Sequence, residues 1–134
     1  MGKTIEIISA TAMLLSIAKS DKIIEQSELE SISNIISDFF QIDSKEEIEN
    51  LMKIAKEKLN NSTDIFEFGK ALNENWNYQD KIDFVCCMFE VSFADWELYY
   101  LEEHMIKKIS TILNVNHSDL IKSKIEMKKL FKDN

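Results

Sequence analysis

The chain contains no proline, and its only two glycines are Gly2 and Gly69. Proline and glycine form most of the tight turns between β-strands, and glycine-rich loops are needed to cradle nucleotide phosphates. Their near absence excludes most hairpins, dinucleotide fingerprints and phosphate loops, and it predicts an all-α fold. The length of 134 residues fits one domain. A chain of this size buries enough apolar surface to fold without disulfides or a structural metal.

Apolar residues recur at helical spacing along nearly the whole chain, and short polar clusters interrupt them. The pattern predicts a compact multihelical domain of about seven helices, in which the fifth helix is the central and most buried one. The predicted organisation has four parts: a first repeat at about 4–40, middle helices at about 44–76, a second repeat at about 78–113 and a C-terminal helix at about 116–132.

Side chains that cap helix N-termini mark where several of these helices begin. Thr4 is the predicted N-cap of the first helix, and Ser44, which has a glutamate three residues later, is that of the third. The fourth helix should be capped by Ser62 or Thr63, and the fifth by Asn77.

An internal repeat relates the two ends of the chain. Residues 14–39 match residues 88–113 at a constant offset of 74 positions, which aligns Asp21 with Asp95 and Glu28 with Glu102. Apolar positions match as well as acidic ones. One short duplication cannot form a solenoid, so it predicts two helical hairpins packed about a pseudo-two-fold axis.

Composition narrows the class of partner and of reaction. The net charge is −8 and all 16 basic residues are lysine, so nucleic acid is not an expected partner. The chain shows no signal peptide and no integral membrane segment, which predicts a cytoplasmic location. The adjacent Cys86 and Cys87 fit neither a redox pair nor a zinc knuckle and are predicted to be core residues. Because no nucleophile–base set or cofactor motif is present, the protein is predicted not to be an enzyme.

Each hairpin carries an aspartate and, seven positions later, a glutamate at the start of the next helix. Two interpretations remain open. In the first, Glu28 and Glu102 cap their helices and the aspartates accept turn amides. In the second, each pair converges on a hard cation such as calcium, magnesium or manganese. An EF-hand is excluded, because the positions where its first two ligands would lie are Ile17 and Lys19 in one copy and apolar in the other.

The strings SDKIIEQSE at 20–28 and ADWELYYLEEHMI at 94–106 resemble the repeated ADGxIxxxE signature of the TerB-like family, named for bacterial tellurite resistance. The resemblance extends over about 14–124 and is closest to the stand-alone, uncharacterised proteobacterial members. It implies an all-helical fold of two pseudo-symmetric repeats, no known enzymatic activity and a proposed metal-binding role. The signature residues that correspond to that role are Asp21, Glu28, Asp95 and Glu102.

The chain departs from this signature at its glycine, which is Lys22 in the first copy and Trp96 in the second. Lys22 places a positive charge beside Asp21 and weakens the first copy as a metal site. The second copy is more acidic, and its weaker candidate ligands, by sequence, are Glu97, Glu103 and His104. His104 lies two residues beyond Glu102 and should point away from it, because two residues turn a helix by about 200°.

Large aromatic residues at the second motif mark a candidate partner surface, formed by Trp96, Tyr99 and Tyr100. They could instead cover the core of the hairpin. The lysines of the C-terminal helix are interpreted as a solvated face, so contact with a membrane surface is not expected. The favoured hypothesis is a non-enzymatic, metal-binding or metal-responsive module of bacterial stress response. The alternative is a protein-interaction or homodimerisation scaffold in which the acidic motifs only cap helices.

Overall fold

The computed structural model describes residues 2–19, 24, 26–61, 64–94 and 100–132. These residues form seven helices and no strand, so the predicted all-α class is confirmed. The helices, in chain order, are α1 (Gly2–Lys19), α2 (Gln26–Phe40), α3 (Lys45–Asn60), α4 (Ile65–Asn75), α5 (Tyr78–Phe93), α6 (Tyr100–Ile112) and α7 (His117–Lys132). None of these helices is both long enough and apolar enough to cross a membrane.

Two helix starts follow the predicted capping chemistry. The Ser44 side chain accepts a hydrogen bond from the Glu47 N–H at 3.2 Å, at the start of α3. The Asn77 side chain accepts one from the Asp80 N–H at 2.8 Å, and the Asp80 carboxylate accepts one from the Asn77 N–H at 3.2 Å. This reciprocal pair satisfies two amides that the first turn of α5 would otherwise leave without a partner.

Two other predicted caps are wrong. The cap of α4 is Asp64, whose carboxylate accepts a hydrogen bond from the amide two residues later at 2.9 Å. Asp64 lies one position beyond Thr63 and two beyond Ser62, and both of those predicted residues lie outside the described ranges. Helix α1 begins at Gly2, so Thr4 lies within its first turn and is not its N-cap.

The central helix is α1, not α5 as the sequence predicted. Eleven of the twelve residues from Ile7 to Ala18 are buried, and α1 contacts every helix from α2 to α6. Ser9 and Thr11 are polar but lie at 4% and 0% exposure. The Thr11 hydroxyl donates to the Ile7 carbonyl at 2.7 Å, which satisfies its polar group inside the helix. A helix whose polar side chains form hydrogen bonds with its own backbone can be buried on all sides.

The contacts between helices have the symmetry that the repeat predicts, and they extend it. The contact between α1 and α2 corresponds to the contact between α5 and α6. The contact between α1 and α6 corresponds to the contact between α5 and α2, and α1 and α5 also contact each other. In addition, α3 packs on α1, and α7 packs on α5. The structural repeat is therefore three helices, α1–α2–α3 and α5–α6–α7, with α4 inserted between the two units and packed on α1 and α6.

A sequence comparison at one constant offset does not detect the third helix of each unit. The reason is that the offset between the two repeats changes between the second helix and the third. Gln41 (φ 57°) and Asn114 (φ 62°) both adopt left-handed backbone at the end of a helix. In each case the next amide donates, at 2.9 Å, to the carbonyl four positions before the left-handed residue, which is a Schellman closure. These two closures are 73 positions apart. Helices α3 and α7 align at an offset of 72 positions, at which Leu59 corresponds to Phe131.

Candidate functional site

The two motif glutamates occupy equivalent, fully buried positions. Glu28 lies in the first turn of α2 and Glu102 in the first turn of α6, and both are 0% exposed. One helical turn later on the same faces are Ile32 and Ile106, which are also 0% exposed. Residues four apart share a helix face, so each glutamate continues the inward-facing stripe of its helix. The same backbone periodicity that builds the core therefore directs both carboxylates into it.

Three other acids in the first turns of helices stay at the surface. Glu46 and Glu47 of α3 and Glu67 of α4 are all exposed, although they occupy the same favourable position near the positive end of a helix. Glu28 and Glu102 differ from them in burial and not in position along the helix. Both buried glutamates have interaction partners within the protein.

The remaining members of the two predicted sites do not belong to the part of the chain that the structure describes. Asp21 of the first motif, and Asp95 and Glu97 of the second, lie outside the described residues. Within the described ranges, no group of three or more histidine, cysteine, aspartate or glutamate side chains is placed to hold a metal ion. A metal site at either motif would therefore need its aspartate as well as its buried glutamate.

Two weaker candidate ligands lie on α6 beside Glu102. Glu103 is half-buried and forms a salt bridge with Lys124 of α7. This contact joins α6 to α7 and balances the charge of Glu103 with that of a lysine. His104 is exposed while Glu102 is buried, so the two side chains lie in different environments on the same helix.

The predicted partner surface also falls largely on residues that are not described. Trp96 and Tyr99 lie outside the described ranges, and Tyr100 is described only as the first residue of α6. Among the described residues, exposed apolar side chains include Leu101 of the second motif at 46% and, on α7, Ile125 at 62% and Leu130 at 58% exposure.

The cysteines have the environment of structural side chains. Cys86 and Cys87 are half-buried and pack against the core on α5. Burial raises the pKa of the Cys86 thiol, and burial, reinforced by the nearby Glu90 carboxylate, raises the pKa of Cys87 to about 12. Thiols with raised pKa values hold little thiolate at neutral pH, so neither cysteine is a poised nucleophile.

Comparison with known proteins agrees with this architecture. The family model described as "Tellurite resistance protein TerB" matches residues 8–125, a range that runs from α1 into α7 and includes both acidic motifs. No curated protein and no solved structure matches the chain. The family match covers both three-helix units and the helix between them, and on this basis the chain belongs to the TerB family.

Proposed function

We propose that this TerB domain is a non-enzymatic module that binds, or responds to, a divalent metal ion in bacterial stress response. The observation that carries the proposal is the complete burial of Glu28 and Glu102 at equivalent positions of the two repeats. The stress-response role and a cytoplasmic location rest on the family description and on the sequence.

Buried carboxylates need compensating partners more than exposed ones do, and both of these glutamates already have partners within the protein. Removing an ionised carboxylate from water costs several kcal/mol unless positive charge or hydrogen bonds compensate. A capping acid avoids this cost by staying exposed, as Glu46 and Glu47 do. A cation shared between the buried glutamate and the motif aspartate, seven positions earlier, would compensate both carboxylates at once. Oxygen ligands of this kind favour calcium, magnesium or manganese.

The second motif is the stronger candidate of the two. In the first motif Lys22 follows Asp21 directly in the sequence, so a lysine competes with any cation for that carboxylate. In the second motif Asp95 is followed by Trp96 in the sequence, and Lys124 of α7 is paired with Glu103. The predicted ligands are therefore Asp95 and Glu102, with Asp21 and Glu28 as a weaker second pair.

Calorimetric titration of chelator-treated protein with calcium, magnesium, manganese and zinc tests this function. We expect one ion to bind with a micromolar dissociation constant and the Asp95→Asn, Glu102→Gln double variant to lose that binding. Both substitutions keep the shape of the side chain and remove its charge. The matched control is Glu46→Gln, Glu47→Gln, which removes two first-turn carboxylates from exposed positions and should leave the titration unchanged.

A wild-type protein that gives no heat with any of the four ions would contradict the proposal. The acidic motifs would then be capping groups, and the second candidate function, a protein-interaction or homodimerisation scaffold, would be the better account. The exposed Ile125 and Leu130 on α7 favour that candidate, because large apolar side chains at a surface are typical of contact sites.

A further inference from the structure

A cavity of about 490 Å³ lies between α1, α2 and α3. Its apolar wall is formed by four aliphatic side chains, Leu15, Ile24, Leu29 and Leu59. Its polar rim is formed by Lys19, Lys56 and Asn60, all of which are exposed, so the cavity opens to solvent at the rim. A volume of this size is in the range of small-molecule sites.

The equivalent place in the second repeat is filled by aromatic rings. Leu15 and Lys19 of α1 correspond to Phe89 and Phe93 of α5, and Leu59 of α3 corresponds to Phe131 of α7. The rings of Phe89 and Phe93 stack with their centroids 6.1 Å apart, and those of Phe93 and Phe131 lie 5.7 Å apart. The cavity thus arises because smaller or polar side chains in the first repeat replace three phenylalanines that close the second.

The two lysines of the rim place positive charge at the opening of this apolar cavity. Lys19 donates a hydrogen bond from Nζ to the Asn60 Oδ1 at 3.1 Å, which holds the ammonium group at the rim beside a neutral partner. Lys56 lies one helical turn before Asn60 on α3, on the same face. Two lysines at one opening contrast with the net charge of −8 of the whole chain. They favour an anion at the rim and disfavour a cation.

We propose that this cavity binds a small aromatic carboxylate. The ring occupies the space that phenylalanine side chains fill in the second repeat, and the carboxylate lies between the ammonium groups of Lys19 and Lys56. Lysine provides a positive charge without the rigid, planar fork of arginine. The site should therefore select a ligand with an apolar body and one negative group, without requiring a fixed geometry of that group. The cavity shares Ile24 with the first acidic motif, but its proposed ligand does not require a metal ion, and the stronger metal candidate is the second motif.

An NMR titration in the presence of EDTA tests the proposal independently of any metal. The probes are 3-phenylpropionate and its neutral amide, 3-phenylpropanamide, added to the full chain at low salt. We expect saturable binding of the carboxylate, with shifts centred on α1, α2 and α3, and roughly fivefold weaker binding of the amide, as for an exposed charge pair. Absence of saturable binding, or equal affinity for the two probes, would overturn the proposal.

Three variants assign the binding to this cavity. Lys19→Gln, Lys56→Gln should remove the preference for the carboxylate, while Lys128→Gln, the equivalent of Lys56 in the second repeat, should leave it intact. Leu15→Phe, Leu59→Phe introduces two of the second repeat's rings and should abolish binding of both probes. Undiminished binding in that filled variant would contradict the assignment. The lysine variants change only exposed side chains, so they decide the question even if the filled variant does not fold.

Discussion

Replacing Phe84 with alanine is expected to lower the free energy of unfolding by about 3 to 5 kcal/mol. Phe84 is 1% exposed on α5, and its ring centroid lies 5.0 Å from that of Trp76 and 6.2 Å from that of Phe39. The substitution removes a whole ring from the junction of α2, α5 and the end of α4. Both the lost burial and the cavity left between the remaining rings contribute to the cost.

Urea unfolding followed by circular dichroism measures this effect as a shift in the midpoint at unchanged slope. The control is Phe66→Ala, because Phe66 has the same side chain but is 58% exposed on α4. That variant should lose less than about 1 kcal/mol. Similar losses for the two variants would contradict the core position of Phe84.

The parts of the fold that the sequence predicted are those set by local chemistry. The side chains of Ser44 and Asn77 form hydrogen bonds with amides three residues away, and such caps can be recognised without knowledge of tertiary structure. The central, buried position of α1 could not be predicted from local chemistry. Its burial includes Ser9 and Thr11, which a pattern of apolar residues counts as polar, although the Thr11 hydroxyl is satisfied within its own helix.

The full extent of the repeat was hidden for a different physical reason. Asp21 and Asp95 align at an offset of 74, but the two helix-ending closures lie 73 apart and the third helices 72 apart. Each closure needs only one left-handed residue, so Gln41 and Asn114 serve without glycine, with three residues following before α3 and two before α7. A loop can gain or lose a residue while the helices on either side keep their packing.

The sequence names the candidate residues but not their environment. Glu28 and Glu102 were selected by their motifs, yet a first-turn position alone does not distinguish them from an exposed acid such as Glu47. Their burial follows from the packing of α2 and α6 against the core, which is a tertiary property. The cavity beside Lys19 has no sequence motif of its own, because it results from side chains that are smaller or more polar than their counterparts in the other repeat.

Replacing Gly69 with valine is expected to destabilise the protein by about 3 kcal/mol, as for overpacking of a tight core contact. Gly69 is buried in α4 with an ordinary helical backbone, so conformational freedom does not explain the glycine. A Cβ atom there would lie 2.2 Å from Cγ2 of Ile112 and 3.5 Å from Cε of Met13. The first distance is far inside van der Waals contact, so either the Ile112 side chain or α4 itself must move.

A double-mutant cycle with Ile112→Ala identifies the cause of that loss. If the close approach is responsible, removing the Ile112 side chain should recover more than about 1 kcal/mol of the cost of Gly69→Val, since directly contacting residues are coupled. Ala71→Val is the control for placing a β-branched residue in α4, because Ala71 borders a small surface cavity with room for extra atoms. It should cost only about 0.5 kcal/mol, the difference in helix propensity. Equal costs at the two positions, or additivity with Ile112→Ala, would show that the contact between α4 and α6 does not require glycine.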